Sequence, residues 1–216
     1  MEERFKISIP EQGAVSAIAT TPDKSKARIL MAHGAGAGMT HQFMDKAAME
    51  LYDRHIAVVR FNFPYMEEGR KRPDTKKKAI AAYKEVIDYV TTDTSLPWFI
   101  GGKSYGGRIS SEVAALYPNL PIEGLIFWGY PLHAPGRPSS DRAVHLPDIN
   151  KRMLFLQGTR DALADLSLLE PITDSLSNAE LFISKEADHS FHVLKRSGRT
   201  GEEVMTEIYN KIQNWI

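Results

Sequence analysis

From Ala27 onward, short apolar runs alternate with segments whose apolar residues recur every third or fourth position. The runs are ARILMAH (27–33), IAVVRFNF (56–63), WFIGG (98–102), GLIFWGY (124–130), RMLFLQG (152–158) and ELFIS (180–184). Apolar runs of this length with little polar alternation predict strands buried on both faces. Between them, Ile80, Tyr83, Ile87 and Val90 share a helical face after Pro73-Asp74. Ile109, Val113 and Leu116 share another, which Pro118 stops. A helix over Leu166–Leu176 follows Asp165 as its cap, and Val204, Ile208, Ile212 and Ile216 form a stripe on the last one. Upstream, Phe5–Ile9 and Val15–Thr21 are β-prone and flank Pro10–Gly13, which predicts an antiparallel hairpin.

Strands alternating with helices predict an α/β fold, a mostly parallel sheet with helices on both faces, entered through that hairpin. No repeat, low-complexity tract or linker divides the chain, so residues 1–216 are expected to form a single domain. In such sheets chemistry gathers in loops at the carboxyl ends of the strands. Four of those loops carry suitable residues: HGAGAG (33–38), GGKSYGG (101–107), QGTRD (157–161) and EADHSFH (186–192).

The second loop has two readings. Gly102-Lys103-Ser104 could end a phosphate-binding loop, but the glycine that opens such a loop would stand at Pro97, and Trp98–Ile100 read as strand. Gly102-Lys103-Ser104-Tyr105-Gly106 also fits the G-x-S-x-G turn, in which a serine stands strained between a strand and a helix with small residues two positions either side. The strand before it and the helical pattern from Arg108 supply that setting. Ser104 is therefore the expected nucleophile. HGAGAG fails as a dinucleotide fingerprint, because Met39 occupies the third glycine position and no acidic residue ends the next strand. A His-Gly-x loop after an early strand instead suits an oxyanion-binding role, with the Ala35 and Tyr105 amides as the expected donors.

A serine hydroxyl needs a base, and the base needs an orienting acceptor. After a turn of this kind the expected chain order is serine, acid, histidine. Asp161 lies just past the strand 152–158, whereas Asp165 reads better as a helix cap. His189 follows the next strand, and His192 falls nearer the Val193-Leu194 apolar segment. Asp161 and His189 are the expected partners of Ser104. His33 is expected to shape its own glycine loop.

Composition narrows the classes. The 27 basic and 27 acidic side chains cancel, which argues against nucleic acid or a membrane surface as the main partner. Cysteine is absent, excluding disulfides, thiolate metal sites and a catalytic thiol, and no cofactor or metal is expected. MEERFKISIP lacks an apolar signal core, and no stretch reaches the length of a membrane span, so the expected location is cytoplasmic. The charged segment YMEEGRKRPDTKKK (65–78) reads as a solvated loop and helix entrance. Lys103 could be solvated or favour an acidic substrate.

On His33-Gly34-Ala35-Gly36, Gly102–Gly106, Gly158-Thr159-Arg160-Asp161 and Asp188-His189, the chain resembles small α/β-hydrolases of the dienelactone-hydrolase-like type over nearly its whole length. It is closer still to a subgroup that also resembles regulatory subunits of chromatin complexes. Dienelactone hydrolases use a cysteine nucleophile, which this chain lacks, so their substrate does not carry over. The resemblance implies a serine hydrolase acting on a small-molecule acyl substrate, or a non-catalytic interaction module on the same scaffold; acyl transfer to an acceptor other than water is a third reading. The interval PLHAPGRPSSDRAVHLPDINKR (131–152) has four prolines and no long amphipathic stripe, so no cap domain is expected. The serine should then sit in an open cleft edged by Tyr105, Trp128 and Tyr65.

Overall fold

The computed structural model describes residues 1–216. The strands are β1 (Glu2–Ile9), β2 (Gly13–Thr20), β3 (Ala27–Ala32), β4 (Ile56–Phe61), β5 (Trp98–Lys103), β6 (Gly124–Trp128), β7 (Arg152–Gly158) and β8 (Ala179–Ser184). They form one sheet in the order β1-β2-β4-β3-β5-β6-β7-β8. β1 pairs antiparallel with β2, and β2 with β4; every other pairing is parallel. The α-helices are α1 (Gln42–Tyr52), α2 (Pro64–Glu67), α3 (Lys76–Val90), α4 (Tyr105–Leu116), α5 (Leu166–Asp174) and α6 (Gly201–Trp215). No helix is long and apolar enough to cross a membrane.

The runs of β3 to β7 are buried because both of their faces are covered; β8, expected to be buried likewise, is instead an edge strand with Glu180 and Ile183 exposed. Along β3, Leu30 and Ala32 pack with α3 and α4, while Ile29 and Met31 pack with α1 and α6. β7 alternates likewise, Met153 and Phe155 on one side and Leu154 and Leu156 on the other. Each such side chain contributes about 1.5–3 kcal/mol by leaving water. α1 has no counterpart among the predicted helices. Its buried face is Met44, Ala47, Ala48 and Leu51, and alanines leave little hydrophobic contrast to read. On α6 the buried stripe is Val204, Ile208, Tyr209 and Ile212; Ile216 lies beyond the helix end and is half-buried.

Two features bring the strand ends into register. Tyr83, fully buried on α3, donates to the Gly101 oxygen at 2.9 Å and accepts from the Gly101 amide at 3.1 Å, clamping β5 just before its end. The 131–151 interval forms two single 3-10 turns, Asp141–Ala143 and Leu146–Asp148, and one isolated bridge between Ala134 and Arg137. Tyr130 Oη donates to the Arg142 oxygen at 2.5 Å, and Ala143, Leu146 and Ile149 enter the core, so the segment lies flat against α4 instead of arching over it.

Candidate active site

Ser104 closes β5 and caps α4 in an unusual backbone state, φ 51° and ψ −113°. A non-glycine residue held there carries roughly 1–3 kcal/mol of strain, which the neighbours must hold. Its amide donates to the Trp128 oxygen at 3.0 Å and its carbonyl accepts from Arg108 N at 3.0 Å, pinning the turn from both sides. The glycines two positions away are steric necessities. A Cβ would stand 2.2 Å from the Ala32 oxygen at Gly102 and 2.4 Å from it at Gly106. The turn is pressed against the end of β3.

The HGAGAG loop therefore lies beside the serine: a Cβ on Gly34 would be 3.9 Å from Ser104 Cβ. His33 builds the loop from beneath. Its Nδ1–H donates to the Gly34 oxygen at 2.7 Å, and its Nε2 accepts from Phe63 N at 3.1 Å. Burial, the main cause, pushes its pKa down to about 4, so the ring is neutral. Gly36 N donates to Tyr65 Oη at 3.1 Å and Ala37 N to the Gly34 oxygen at 3.2 Å. The Ala35 amide, on an exposed residue, and the first amide of α4, at Tyr105, have no acceptor inside the protein. Two unpaired amides thus flank the serine.

From the loops after β7 and β8 come Asp161 and His189, which the fold brings together. His189 Nδ1 lies 2.7 Å from Asp161 Oδ2. The carboxylate cannot swing, because Oδ1 accepts from Leu163 N at 2.7 Å and Oδ2 also accepts from Gln157 Nε2 at 2.5 Å. Its side chain is fully buried and the imidazole is partly open. A carboxylate on Nδ1 holds the proton there and leaves Nε2 as the basic nitrogen. Ser104 Oγ forms none of the structure's hydrogen bonds, so the histidine–aspartate link is closed while no serine–histidine link is made.

The competing residues are elsewhere. Asp165 caps α5, accepting from Ser167 N at 3.0 Å, and His192 is an exposed side chain 3.9 Å from Asp188. Trp128 and Tyr65, expected to edge the cleft, do not. Both are fully buried: the Trp128 side chain packs in the α1–α6 core, and Tyr65 sits beneath the glycine loop as the prop for Gly36. Tyr105 alone of the three is part-exposed. Lys103 is buried, not solvated, and its Nζ donates to the main-chain oxygen of His189. In the charged segment, Arg70 pairs with Glu68 and Asp74 and Lys76 with Glu112.

Gln157 was missed. It is fully buried on β7, and besides gripping Asp161 it accepts from Tyr130 N at 2.9 Å. Its signal was present as a polar residue near the carboxyl end of β7, where every other residue after Arg152 is apolar or glycine.

Residues 25–216 match the family model described as an alpha/beta hydrolase domain. The chain belongs to that family. The match begins after the β1–β2 hairpin and takes in all four loops of the site. Solved structures share the hydrolase fold. An α/β serine hydrolase without lid from Xanthomonas campestris superposes with a TM-score of 0.78 at 19% identity, covering 100% of this chain and 95% of that one. An α-β serine hydrolase homologue from Coxiella burnetii gives 0.77 at 22%, covering 96% and 95%. A dienelactone hydrolase from Anabaena variabilis gives 0.77 at 18%, covering 100% and 96%. This chain shares their fold, and the interval between β6 and β7 holds no cap domain.

Proposed function

We propose that this chain is a single-domain serine hydrolase, residues 1–216, that cleaves small carboxylic esters or related acyl substrates through Ser104, His189 and Asp161. His189 Nε2 takes the Ser104 hydroxyl proton as Oγ bonds to the acyl carbon. The carbonyl electron pair moves onto oxygen, where the Ala35 and Tyr105 amides receive it. The imidazolium then passes its proton to the leaving oxygen as the carbon–oxygen bond breaks, giving the acyl-enzyme. Water repeats the sequence, losing a proton to His189, and the acid leaves with Ser104 restored. Asp161 stays ionised and holds the Nδ1 proton throughout.

The observation that carries this reading is the 2.7 Å His189–Asp161 pair, formed by the loops after β7 and β8 of the sheet whose β5 ends on a strained serine. A non-catalytic module would leave the strain and the two open amides without a use. The flat 131–151 segment gives the site no roof, and two of the surface's depressions, of about 300 and 500 Å³, lie elsewhere, lined by residues such as Lys84 and Tyr117 or Arg199 and Glu207. With little apolar area to receive a long chain, short or compact acyl groups are the substrates. A fluorophosphonate should label Ser104, and p-nitrophenyl esters should show no steady rise in kcat/KM with acyl length. An unlabelled, folded chain would remove the enzyme reading; a steady rise would remove only the substrate class.

A further inference from the structure

Lys103 immediately precedes the proposed nucleophile, yet it is only 8% exposed. Its ammonium lies 5.7 Å from the ring centre of Phe43 and 5.6 Å from that of Phe191, and Nζ donates to the His189 carbonyl oxygen at 2.5 Å. It forms no ion pair; Asp161 and Asp188 act on it from farther away. Across from it, Gly129 has φ 68°, and a Cβ there would stand 2.9 Å from Nζ and 3.2 Å from both Nδ1 and O of His189. Ammonium and imidazole thus share one small space at the end of β6.

A cation in such a place weakens the fold. Desolvation, the largest cause, pushes the Lys103 pKa down to about 8 against the attraction of Asp161 and Asp188. Between that value and the unfolded one of about 10.4 the unfolded chain binds more protons, so folding pays for the charge at neutral pH and stability rises as the pH climbs through that window. A methionine would fill the same volume without that penalty. Resting on the hydrolase reading, we propose that Lys103 is a positioning residue, a charged tether that sets the main chain of the base relative to the nucleophile. Its backbone is covalently joined to Ser104 and its side chain ends on His189. One residue therefore spans the gap that would otherwise be set by two loops from distant parts of the chain. A charge-assisted hydrogen bond inside an aromatic pair is strong enough to serve.

The test compares Lys103→Met, which removes charge and donor, with Lys103→Gln, which keeps a donor. Lys103→Met should melt about 2 °C or more above the wild type at pH 7. It should lose about ten-fold or more in the rate of Ser104 fluorophosphonate labelling, with kcat falling and KM nearly unchanged on an active ester. Amides 188–192 should exchange faster in Lys103→Met, and Lys103→Gln should recover part of the rate. Lys103→Met labelled at the wild-type rate overturns the tether and spares the hydrolase. Stability and rate lost together, with no recovery in Lys103→Gln, make the lysine a structural strut and also overturn it. A wild-type chain that resists the probe overturns the hydrolase reading itself, before any variant is made.

Discussion

Ser104 and Ser111 lie two turns apart along α4, and each has a histidine and a carboxylate near it. On distance alone the second set is the more complete. Ser111 Oγ is 2.8 Å from His145 Nε2, and His145 Nδ1 is 3.9 Å from Glu112 Oε2, whereas Ser104 Oγ has no partner. The protons reverse that ranking. Ser111 gives its single hydroxyl proton to the Arg108 oxygen at 2.7 Å, so toward His145 it accepts, and Nε2 of that ring carries the proton. A base already protonated at the facing nitrogen cannot take another from the serine. His189 is the opposite case, its proton held at Nδ1 by Asp161 and Nε2 left basic. Access separates the sets as well: Ser111 is fully buried within the helix, while Ser104 stands at its strained start. Glu112 is also committed to Lys76 at 2.8 Å. A serine, a histidine and an acid in contact therefore make a helix brace or a reactive centre according to where the protons sit.

The largest effect should come from the serines themselves. Ser104→Ala should abolish fluorophosphonate labelling and lower ester turnover by about 10³-fold or more while remaining folded. Ser111→Ala should leave turnover within about two-fold, because no reacting proton passes through it. If Ser111→Ala removes activity and Ser104→Ala does not, the comparison is inverted.

The acids should differ almost as much. Asp161→Asn should reduce kcat about 10³-fold, since an amide no longer enforces the Nδ1–H tautomer. Glu112→Gln should leave kcat within a few-fold, its loss showing in thermal unfolding. Equal losses in the two variants would mean that the acids do not divide as the hydrogen bonds do.

Acid addresses the histidines that brace rather than react. His33 is held near 4 by burial and His145 is lowered for the same main reason, against an unfolded value near 6.5. The unfolded chain binds more protons in that interval, so stability is fully present above about pH 6.5 and declines toward pH 4, by about 3 kcal/mol from His33 alone. Urea unfolding at several pH values reads the slope directly, and His145→Gln should flatten part of it. A flat profile would show that neither ring is held neutral by the fold.

The smallest effect should come from Gln157. Its replacement by leucine removes a donor from Asp161 and leaves the Tyr130 amide unpaired, costing about 1–3 kcal/mol of stability. Turnover should fall less than in Asp161→Asn, because the Leu163 amide still holds Oδ1. A loss equal to that of Asp161→Asn would place Gln157 in the chemistry.

The strands β3 to β7 were readable because each is enclosed on both faces, which leaves an unbroken apolar run between glycine and polar turns. Strand-end placement and the order serine, acid, histidine favoured Asp161 over Asp165 and His189 over His192, and the favoured two lie 2.7 Å apart. α1 escaped because Ala47 and Ala48 give its buried face little contrast. Trp128 and Tyr65 were placed at the cleft because their chain positions are near it, but the direction of a side chain at a strand end or in a short helix is set by what packs there.

By itself, then, the sequence determined the alternation of strands and helices, the glycines that permit the turn at Ser104, and the loops on which serine, acid and histidine ride. Those depend on local periodicity and steric room. Only the tertiary structure decided which nitrogen of each histidine carries its proton, that Gln157 grips Asp161, and that Lys103 reaches His189. Apart from Gln157 and Asp161, four residues apart at the end of β7, the pairings join loops distant in the chain, Lys103 and His189 being 86 residues apart. The sheet order, not the chain, makes them neighbours, and burial then forces each polar group onto the partner it finds.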